Sequence, residues 1–439
     1  MLIPTALVAT LALPGPPPQD TPEGEWRSWR GPLGSGAALA DPPIEWDAET
    51  NVAWTAALPG EGKSTPIVLG NSVFVLAAVP AREATPEELA ERTTTEGLRT
   101  EAPDHFIAFL ALAFDRKTGE ALWESVLAER LPVTGNHSTN GYASFSPVTD
   151  GETLYAALGS YGVHAIDPKS GDVKWSHELG PQITRRGWGE AGSPAVHGDT
   201  LVVVADQEEA SYIVALDVDD GTVRWRADRD EPSTWTTPVI VDAGGATQVL
   251  VNGTTAARSY DLASGEVLWS CGGQTVNAIP TPVTDGKMAL FTSGYRGQAC
   301  FAFDLSRRGD LASVEGGIAW QHSDGTPYVP SPVLVDGRVY MLSGLSGMLT
   351  CLDLASGELL LDRERLDLGN VYASPIAAAG RIYVIDRDGT AVVLQHTPGE
   401  PPKVLARNEL GDPIDATPVA VGEALFVRSD STLYAIGRP

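Results

Sequence analysis

Two adjacent arginines, Arg185 and Arg186, are the most distinctive chemical group in this sequence. They lie in the run QITRRGWGE, in a chain whose formal net charge is −27. A planar guanidinium can hold a carboxylate through two parallel hydrogen bonds. This loop is therefore the best single candidate for a ligand-binding position.

The patterns that usually indicate catalysis are missing from the sequence. The seven histidines include no pair at the spacing of zinc ligands. The run SGLSG at 343–347 reads as a hairpin turn, not as the strand-to-helix turn that carries a nucleophilic serine. With 57 Asp and Glu residues, spacing alone selects no general acid and base. We therefore assign no catalytic residue and no metal ligand.

Composition excludes several classes of function. Thirty Lys and Arg against 57 Asp and Glu make a nucleic acid or an anionic membrane an unfavourable partner. Three Cys are too few for a disulfide framework, and 46 Gly with 33 Pro favour frequent turns over long helices. We expect a monomer without a transmembrane segment that binds a protein partner or a small polar ligand.

Residues 1–20 have the character of an export signal. An apolar run over residues 2–13 is followed by a Pro-rich stretch. The run is too short to span a bilayer and resembles the apolar core of a secretory signal. The first cysteine is Cys271, far from residue 20. We therefore expect an exported protein, periplasmic or secreted, that is not lipid-anchored.

A repeat of about 44 residues dominates the rest of the chain. Its first element is a Ser-Pro or Thr-Pro pair, followed by an apolar strand, a Gly-containing turn and a second apolar strand, which is the pattern of a hairpin. Apart from the first interval of 81 residues, successive pairs are 43 to 50 residues apart. The prolines are Pro66, Pro147, Pro194, Pro238, Pro282, Pro332, Pro375 and Pro418.

The second element of the repeat is an Asp, a turn that ends in Gly, and a Trp four residues later. Asp accepts backbone N–H bonds within the turn, Gly takes a positive φ, and the Trp ring can fill the gap between adjacent sheets. Blade five delays its Trp, blade six has Leu361 instead, and blade seven is a degenerate copy. The predicted docking residues are Trp54, Asp115, Gly119, Trp123, Asp167, Gly171, Trp175, Asp217, Gly221, Trp225, Asp261, Gly265, Trp269 and Trp320.

Four short strands per repeat is the pattern of a propeller blade. The last repeat supplies only three strands, so residues 51–58 are expected to add the fourth and close the ring. We predict an all-β fold: a single eight-bladed β-propeller of four-stranded antiparallel blades over 51–439, closed by an N-terminal strand. A solenoid of stacked hairpins is the alternative.

Two segments depart from the regular ring. Residues 21–50 form a tail whose Trp26 and Trp29 could pack it across a propeller face. An insertion at about residues 80–110 contains a helix start, with Thr85 as cap and Pro86 in the first turn. This insertion is either a mobile loop or a binding lid.

Residues just before each Ser/Thr-Pro pair should surround the mouth of the central channel. This set mixes aromatic rings, cations and carboxylates, which suits a small polar ligand, although the same rings could simply plug the channel. The candidates are Lys63, His137, Asn140, Tyr142, Arg185, Arg186, Trp188, Glu190, Trp235, Asn277, Tyr328, Tyr372 and Asp415.

These repeat motifs resemble the pyrroloquinoline-quinone-binding-like propeller family of exported bacterial proteins. Its relatives include the outer-membrane assembly scaffold propeller and the quinoprotein dehydrogenases. The resemblance covers residues 51–439 and implies the propeller fold, but the Asp-Gly-Trp element is shared by cofactor-free members. Cofactor-using members pair two adjacent cysteines against the quinone and hold Ca²⁺, whereas Cys271, Cys300 and Cys351 are far apart here.

Three functions follow from the resemblance and the candidate residues. The first is a non-catalytic scaffold without a cofactor. It would bind a protein partner or small ligand on its funnel face, the face where these candidate residues surround the mouth of the channel. The second is a quinone-dependent oxidoreductase with calcium, acting on alcohols or sugars, with Arg185, Arg186 and Trp188 near the cofactor. The third is a polysaccharide-binding module that uses Trp188, Trp235, Tyr328 and Tyr372.

Overall fold

A computed structural model describes residues 24–92, 97–397 and 400–439. The predicted export signal at residues 1–20 lies outside the described residues. None of the helices in the described part is long and apolar enough to cross a bilayer.

Eight antiparallel sheets form the fold, and each contributes four strands to a ring around a channel. We number the blades one to eight and give their strands from the channel outwards. Blades one to four comprise Ile67–Leu69, Ser72–Glu83, His105–Asp115 and Ala121–Arg130; Val148–Thr149, Leu154–Ala157, Val163–Ile166 and Val173–His177; Ala195–His197, Thr200–Ala205, Tyr212–Asp217 and Val223–Asp228; and Val239–Ala243, Ala246–Val251, Ala256–Asp261 and Val267–Gly272. Blades five to eight comprise Val283–Thr284, Met288–Ser293, Ala299–Asp304 and Trp320–His322; Val333–Val335, Arg338–Leu342, Met348–Asp353 and Leu359–Arg365; Ile376–Ala378, Arg381–Ile385, Thr390–Gln395 and Lys403–Glu409; and Val419–Val421, Glu423–Arg428, Thr432–Arg438 and Val52–Ala57.

Two short strands and three helices complete the described elements. Ala37–Ala38 pairs in parallel with the first strand of blade seven, and Gly309–Asp310 pairs in parallel with the outer strand of blade four. The α-helix is Pro86–Glu91, and the two 3₁₀ turns are Gly159–Tyr161 and Arg185–Gly187.

Burial along the strands follows their position within a blade. The second strand of blade five, Met288–Ser293, is buried throughout, because neighbouring blades cover both of its faces. The outer strand of blade three, Val223–Asp228, has no fully buried residue. The inner strands of a blade are therefore expected to have continuous apolar runs, whereas the outer strands should alternate polar and apolar residues.

The N-terminal strand closes the ring, which confirms the predicted fold. Val52–Ala57 pairs antiparallel with Thr432–Arg438, with Trp54 opposite Ala435 and Ala57 opposite Thr432. Blade eight is thus assembled from the two ends of the described chain. This closure removes the open edges that a linear array of sheets would expose.

Tryptophans on the outer strands connect each blade to the next one. The ring of Trp175 in blade two lies over the turn of the following repeat, where it covers Gly221, and its Nε1 donates to the carbonyl oxygen of Val218 at 2.8 Å. Gly221 has φ +73°, and an added Cβ would meet the Trp175 ring at 2.5 Å, so only glycine fits. The same ring-over-glycine pairing joins Trp54 to Gly119, Trp123 to Gly171, Trp225 to Gly265 and Trp320 to Gly357.

Trp269 departs from this pattern. It is fully buried, and its Nε1 donates to Oε1 of Gln248 within its own blade at 3.1 Å. After Asp304 the chain continues into a long connection, in which Gly309 pairs with Trp269 on the outer strand of blade four. No compact Gly turn is therefore available beneath the Trp269 ring. The long blade-five connection thus replaces the usual contact.

The Ser/Thr-Pro pairs form a continuous chain of hydrogen bonds around the channel. In seven steps, the backbone N–H of the Ser or Thr in one blade donates to the side-chain hydroxyl of its counterpart in the next blade, at 2.8 to 3.3 Å. The following proline has no N–H and keeps the residue before it extended. All eight of these side chains are buried: Thr65, Ser146, Ser193, Thr237, Thr281, Ser331, Ser374 and Thr417.

The eighth step of this hydroxyl ring differs from the others. Thr65, where blade eight meets blade one, has a hydroxyl with no hydrogen-bond partner among the described residues. Thr417 on the other side of that step accepts from the N–H of Ser374 at 3.1 Å and from Nε1 of Trp29 at 3.3 Å. The two threonines therefore form a matched pair, one hydroxyl bonded and one not.

We expect Thr417→Val to destabilise the protein by about 1–3 kcal/mol, because it leaves buried donors unpaired. Thr65→Val should change stability by less than about 0.5 kcal/mol, since its hydroxyl makes no bond to lose. Urea-unfolding midpoints of the two variants provide the comparison. Equal losses in both would show that the hydroxyl ring does not stabilise the fold.

The tail, residues 24–50, crosses the face that carries the turns between first and second strands. Trp26 is fully buried and exchanges backbone hydrogen bonds with Val68 of blade one. Arg30 donates to the carbonyl oxygens of Pro332 and Pro375 in blades six and seven. The tail thus spans the ring and sends Trp29 towards the channel.

The insertion folds against the opposite face. The predicted helix is present as Pro86–Glu91, where Thr85 and Glu88 form a capping box. Farther along, the N–H of Arg99 donates to the carbonyl of Arg186 at 2.8 Å, and Oγ1 of Thr100 donates to the carbonyl of Gly187 at 2.5 Å. The end of the insertion therefore holds the backbone of the 182–190 loop.

Candidate functional site

The mouth of the channel opposite the tail is formed by two sets of loops. One set leads into the first strand of each blade, and the other joins second to third strands. We call this surface the funnel face. Every candidate residue from the sequence lies in or next to loops of the first set, and the structure places all of them except Tyr142 and Glu190 in three groups.

The first group is a charged cluster at blades seven, eight and one. Nζ of Lys63 lies 2.7 Å from Asp415, and the Arg387 guanidinium binds the same carboxylate at 2.6 and 3.1 Å. Arg387 also lies over the ring of Tyr372, with its carbon 4.5 Å from the ring centroid. Burial lowers the pKa of Lys63, but Asp415 and Asp430, the latter 2.9 Å from Nζ, together outweigh that effect and the pKa is raised overall. Both cations therefore stay charged and fixed.

The second group is aromatic and belongs to blades two, three and four. The Trp188 ring contacts His137 edge-on at 5.8 Å and Trp235 at 6.3 Å. Nδ2 of Asn140 donates to the carbonyl of Trp188 at 3.0 Å, and Nε1 of Trp235 donates to that of Gly189 at 2.8 Å. These bonds fix the backbone on both sides of Trp188.

The third group lies between blades three, five and six. Nη1 of Arg185 donates to Oδ1 of Asn277 at 3.3 Å. Tyr328 stacks on Tyr295 with ring centroids 4.8 Å apart, and Arg296 lies over Tyr295 at 5.3 Å. This group combines two cations, a buried amide and a pair of stacked rings.

Tyr142 belongs to none of these groups. Its hydroxyl donates to the carbonyl of Thr134 at 2.9 Å, and its ring meets Phe109 edge-on at 6.5 Å. Burial holds the pKa of this phenol well above its usual range. Tyr142 therefore packs beneath the loops.

Four residues of the funnel face were missed by the sequence reasoning: Tyr295, Arg296, Arg387 and Asp430. All lie on loops between second and third strands, which emerge on the same face as the loops entering each blade. The antiparallel order of strands within a blade already implies this placement. Applying it to the runs GYRG, DRDG and SDS would have found these residues.

Glu190 anchors the 182–190 loop to blade two. Its carboxylate accepts from the backbone N–H of Ser160 at 2.7 Å and from the Ser160 hydroxyl at 2.6 Å. Burial raises the pKa of Glu190 to about 7, and the two bonds from Ser160 offset only part of that effect. The carboxyl group therefore changes its charge near neutral pH.

We predict that this one group makes the fold less stable as pH rises. The folded state keeps the Glu190 proton at pH values where the unfolded chain has already lost it, so stability falls between about pH 4.5 and 7 and then levels off. Relative to Glu190→Gln, the wild type should lose about 2 kcal/mol between pH 5 and pH 8. Urea unfolding at both pH values measures the difference. Parallel pH profiles for the two proteins would contradict the assignment.

A cavity of about 150 Å³ lies between the charged cluster and the aromatic group. Lys63, Asn140, Trp235 and Asp415 line its sides, and Trp29 of the tail also borders it. Sites for small organic ligands usually have volumes of about 300–1,000 Å³. The cavity is therefore smaller than most such sites.

The three cysteines are also placed differently from a cysteine pair that could contact a quinone. Cys271, Cys300 and Cys351 belong to blades four, five and six, and each is buried as a free thiol. Burial raises the pKa of Cys271 and Cys351 to about 11, so both are protonated at neutral pH. Within the described part of the chain, no three His, Cys, Asp or Glu side chains come together as a metal site.

Comparison with known proteins identifies the family. Residues 41–209 and 109–358 match the family model described as outer membrane protein assembly factor BamB, so the matches together cover well over half of the chain. The chain belongs to this family. The resemblance to propellers with quinone-type repeats is thereby confirmed.

Individual relatives in this family are distant. The chain is 25% identical over 292 residues to the BamB protein of Yersinia pestis, a match that covers 66% of this chain and 60% of that protein. It is 28% identical over 275 residues to the BamB protein of Salmonella typhimurium, covering 59% of this chain and 65% of the relative. The matches thus span less than two thirds of either relative.

Solved structures show the same fold at lower identity. BamB from Moraxella catarrhalis has a TM-score of 0.51 at 15% identity, covering 82% of this chain and 98% of that one. A europium-containing methanol dehydrogenase has a TM-score of 0.61 at 11% identity, covering 94% and 98%. At these identities the likeness extends to the propeller fold and no further.

Proposed function

We propose that this protein is an exported, non-catalytic scaffold that holds a protein partner on its funnel face. The observation that carries the proposal is the prearranged rim: the charged, aromatic and third groups are fixed by bonds to one another and to the backbone. A surface ordered before binding loses little entropy when a partner docks. Membership of a family described as an assembly factor supports the same reading.

The remaining geometry also favours a docking surface over an enclosed site. The channel cavity of about 150 Å³ is small, while the rim presents large rings and cations around it. Tyr, Trp and Arg are the side chains that most often dominate binding energy at protein interfaces. A partner would therefore meet these groups across the face without entering the channel.

Site-specific photocrosslinking in intact cells tests the proposal. A photoreactive phenylalanine analogue at Tyr328 should capture a discrete partner, because this ring lies on the funnel face. The same analogue at Leu39, which is 73% exposed on the tail side, serves as the control. Crosslinks at Leu39 but not at Tyr328 would contradict the proposal.

Titration with pyrroloquinoline quinone and Ca²⁺ separates this proposal from quinone-dependent oxidation. We expect no saturable heat of binding and no dye-linked oxidation of alcohols or sugars. Saturable binding that brings such activity, and that is lost in Arg186→Ala, would overturn the scaffold assignment. Glycan binding that is lost in Trp235→Ala would instead favour a polysaccharide-binding module.

A further inference from the structure

Three arginines on the funnel face are not neutralised. The Arg185 guanidinium donates to the amide of Asn277, that of Arg186 lies over the Trp188 ring, and that of Arg296 lies over the Tyr295 ring. Among the described residues, none of the three forms an ion pair with a carboxylate, in a chain that has 57 acidic residues. Their positive charge is therefore available to a ligand.

Asn277 provides a second, independent sign of a ligand. The residue is only 2% exposed, and its Oδ1 accepts from Arg185. That bond determines the orientation of the amide, because an arginine can only donate. Nδ2 then lies on the other side, buried, with the Tyr328 side chain beside it and no well-formed hydrogen bond in the described part of the chain. An unmet buried donor is costly, so an acceptor is expected beside it.

The backbone at these positions is strained. Arg186, Asn277 and Arg296 all have left-handed φ angles, at 57°, 59° and 52°. Asparagine tolerates this region, but arginine seldom adopts it, and such strain is often found at ligand-binding positions. The bonds from Arg99 and Thr100 to the 182–190 loop hold the first of these turns in place.

We propose that this surface, formed by Arg185, Arg186, Asn277 and Arg296, binds the carboxylates of an acidic peptide segment of a partner protein. The arginines supply paired donors, the free Nδ2 supplies another, and the Tyr295–Tyr328 stack provides an apolar wall. The inference rests on the proposed function and adds the chemistry of the partner. An acidic segment would be repelled by most of this chain and attracted to this rim, which gives it one place to bind.

A nucleic acid is a poorer fit for the same surface. Its long, regular line of phosphates would extend beyond the rim onto a protein of net charge −27. A short segment with a few carboxylates avoids that repulsion. A single-stranded oligonucleotide therefore serves as the competing ligand in the test.

Fluorescence anisotropy of a labelled hexaglutamate peptide against the full chain tests the inference. Hexaglutamine, hexalysine and an oligothymidine serve as probes of other chemistry. We expect binding of hexaglutamate only, weakened about tenfold by Arg185→Gln and by Arg296→Gln, and weakened further by added salt. Arg365→Gln, on the exposed outer strand of blade six, should leave binding unchanged.

Asn277→Asp is the second variant, since it replaces the unmet donor by a negative charge and should abolish binding. Circular dichroism and melting curves establish that each variant is folded. Wild-type affinity in folded Arg185→Gln and Asn277→Asp proteins, or equal binding of hexaglutamate and hexaglutamine, would overturn the inference. Tighter binding of the oligothymidine would overturn it in favour of nucleic acid.

Failure of this inference can be told apart from failure of the proposed function. Crosslinks at Tyr328 without hexaglutamate binding would leave the scaffold intact and exclude acidic recognition. Hexaglutamate binding without any crosslink at Tyr328 would support the arginine surface and contradict partner docking in the cell.

Discussion

Closure of the ring around the channel is the constraint on which the rest of the structure depends. Neighbouring blades are joined at two radii: seven of the eight steps carry a backbone-to-hydroxyl bond at the channel, and five carry a tryptophan over a glycine turn at the rim. Two contacts at different distances from the axis prevent neighbouring sheets from tilting. At the step from blade eight to blade one, where the Thr65 hydroxyl has no partner among the described residues, the N-terminal strand completes the final blade and its Trp54 covers Gly119 of blade one.

A closed ring lets the funnel face be rigid even though it consists of loops. The loop that carries Arg185 and Trp188 is held from three sides, by Glu190 on Ser160, by Asn140 on the Trp188 carbonyl and by the insertion. Such support orders the side chains before any partner arrives. The opposite face carries the tail, which bonds to blades one, six and seven.

Much of the fold could be predicted because its determinants are local and repeated. The Ser/Thr-Pro period and the Asp-Gly-Trp element gave the blade number, and the three-stranded last repeat gave the closing strand. The exceptions depend on contacts between distant segments. Trp269 bonds within its own blade because the blade-five connection runs along that strand, which no local pattern indicates.

The candidate site was predictable only in part for the same reason. Residues before each Ser/Thr-Pro pair lie at the mouth, but their pairing across blades, such as Arg185 with Asn277, depends on the ring geometry. Arg387 and Tyr295 lie on the other set of loops and were overlooked. The hydroxyls of the Ser/Thr-Pro pairs were read as strand markers, whereas the structure gives them a bonding role.

Amide hydrogen exchange across the whole chain tests the central claim most directly. If the hydroxyl ring holds the blades together, the amides of Ser146, Ser193, Thr281, Ser331 and Ser374 should be among the last to exchange, later than those of the outer strands. Rapid exchange at these five positions, with protection confined to the outer strands, would contradict the account.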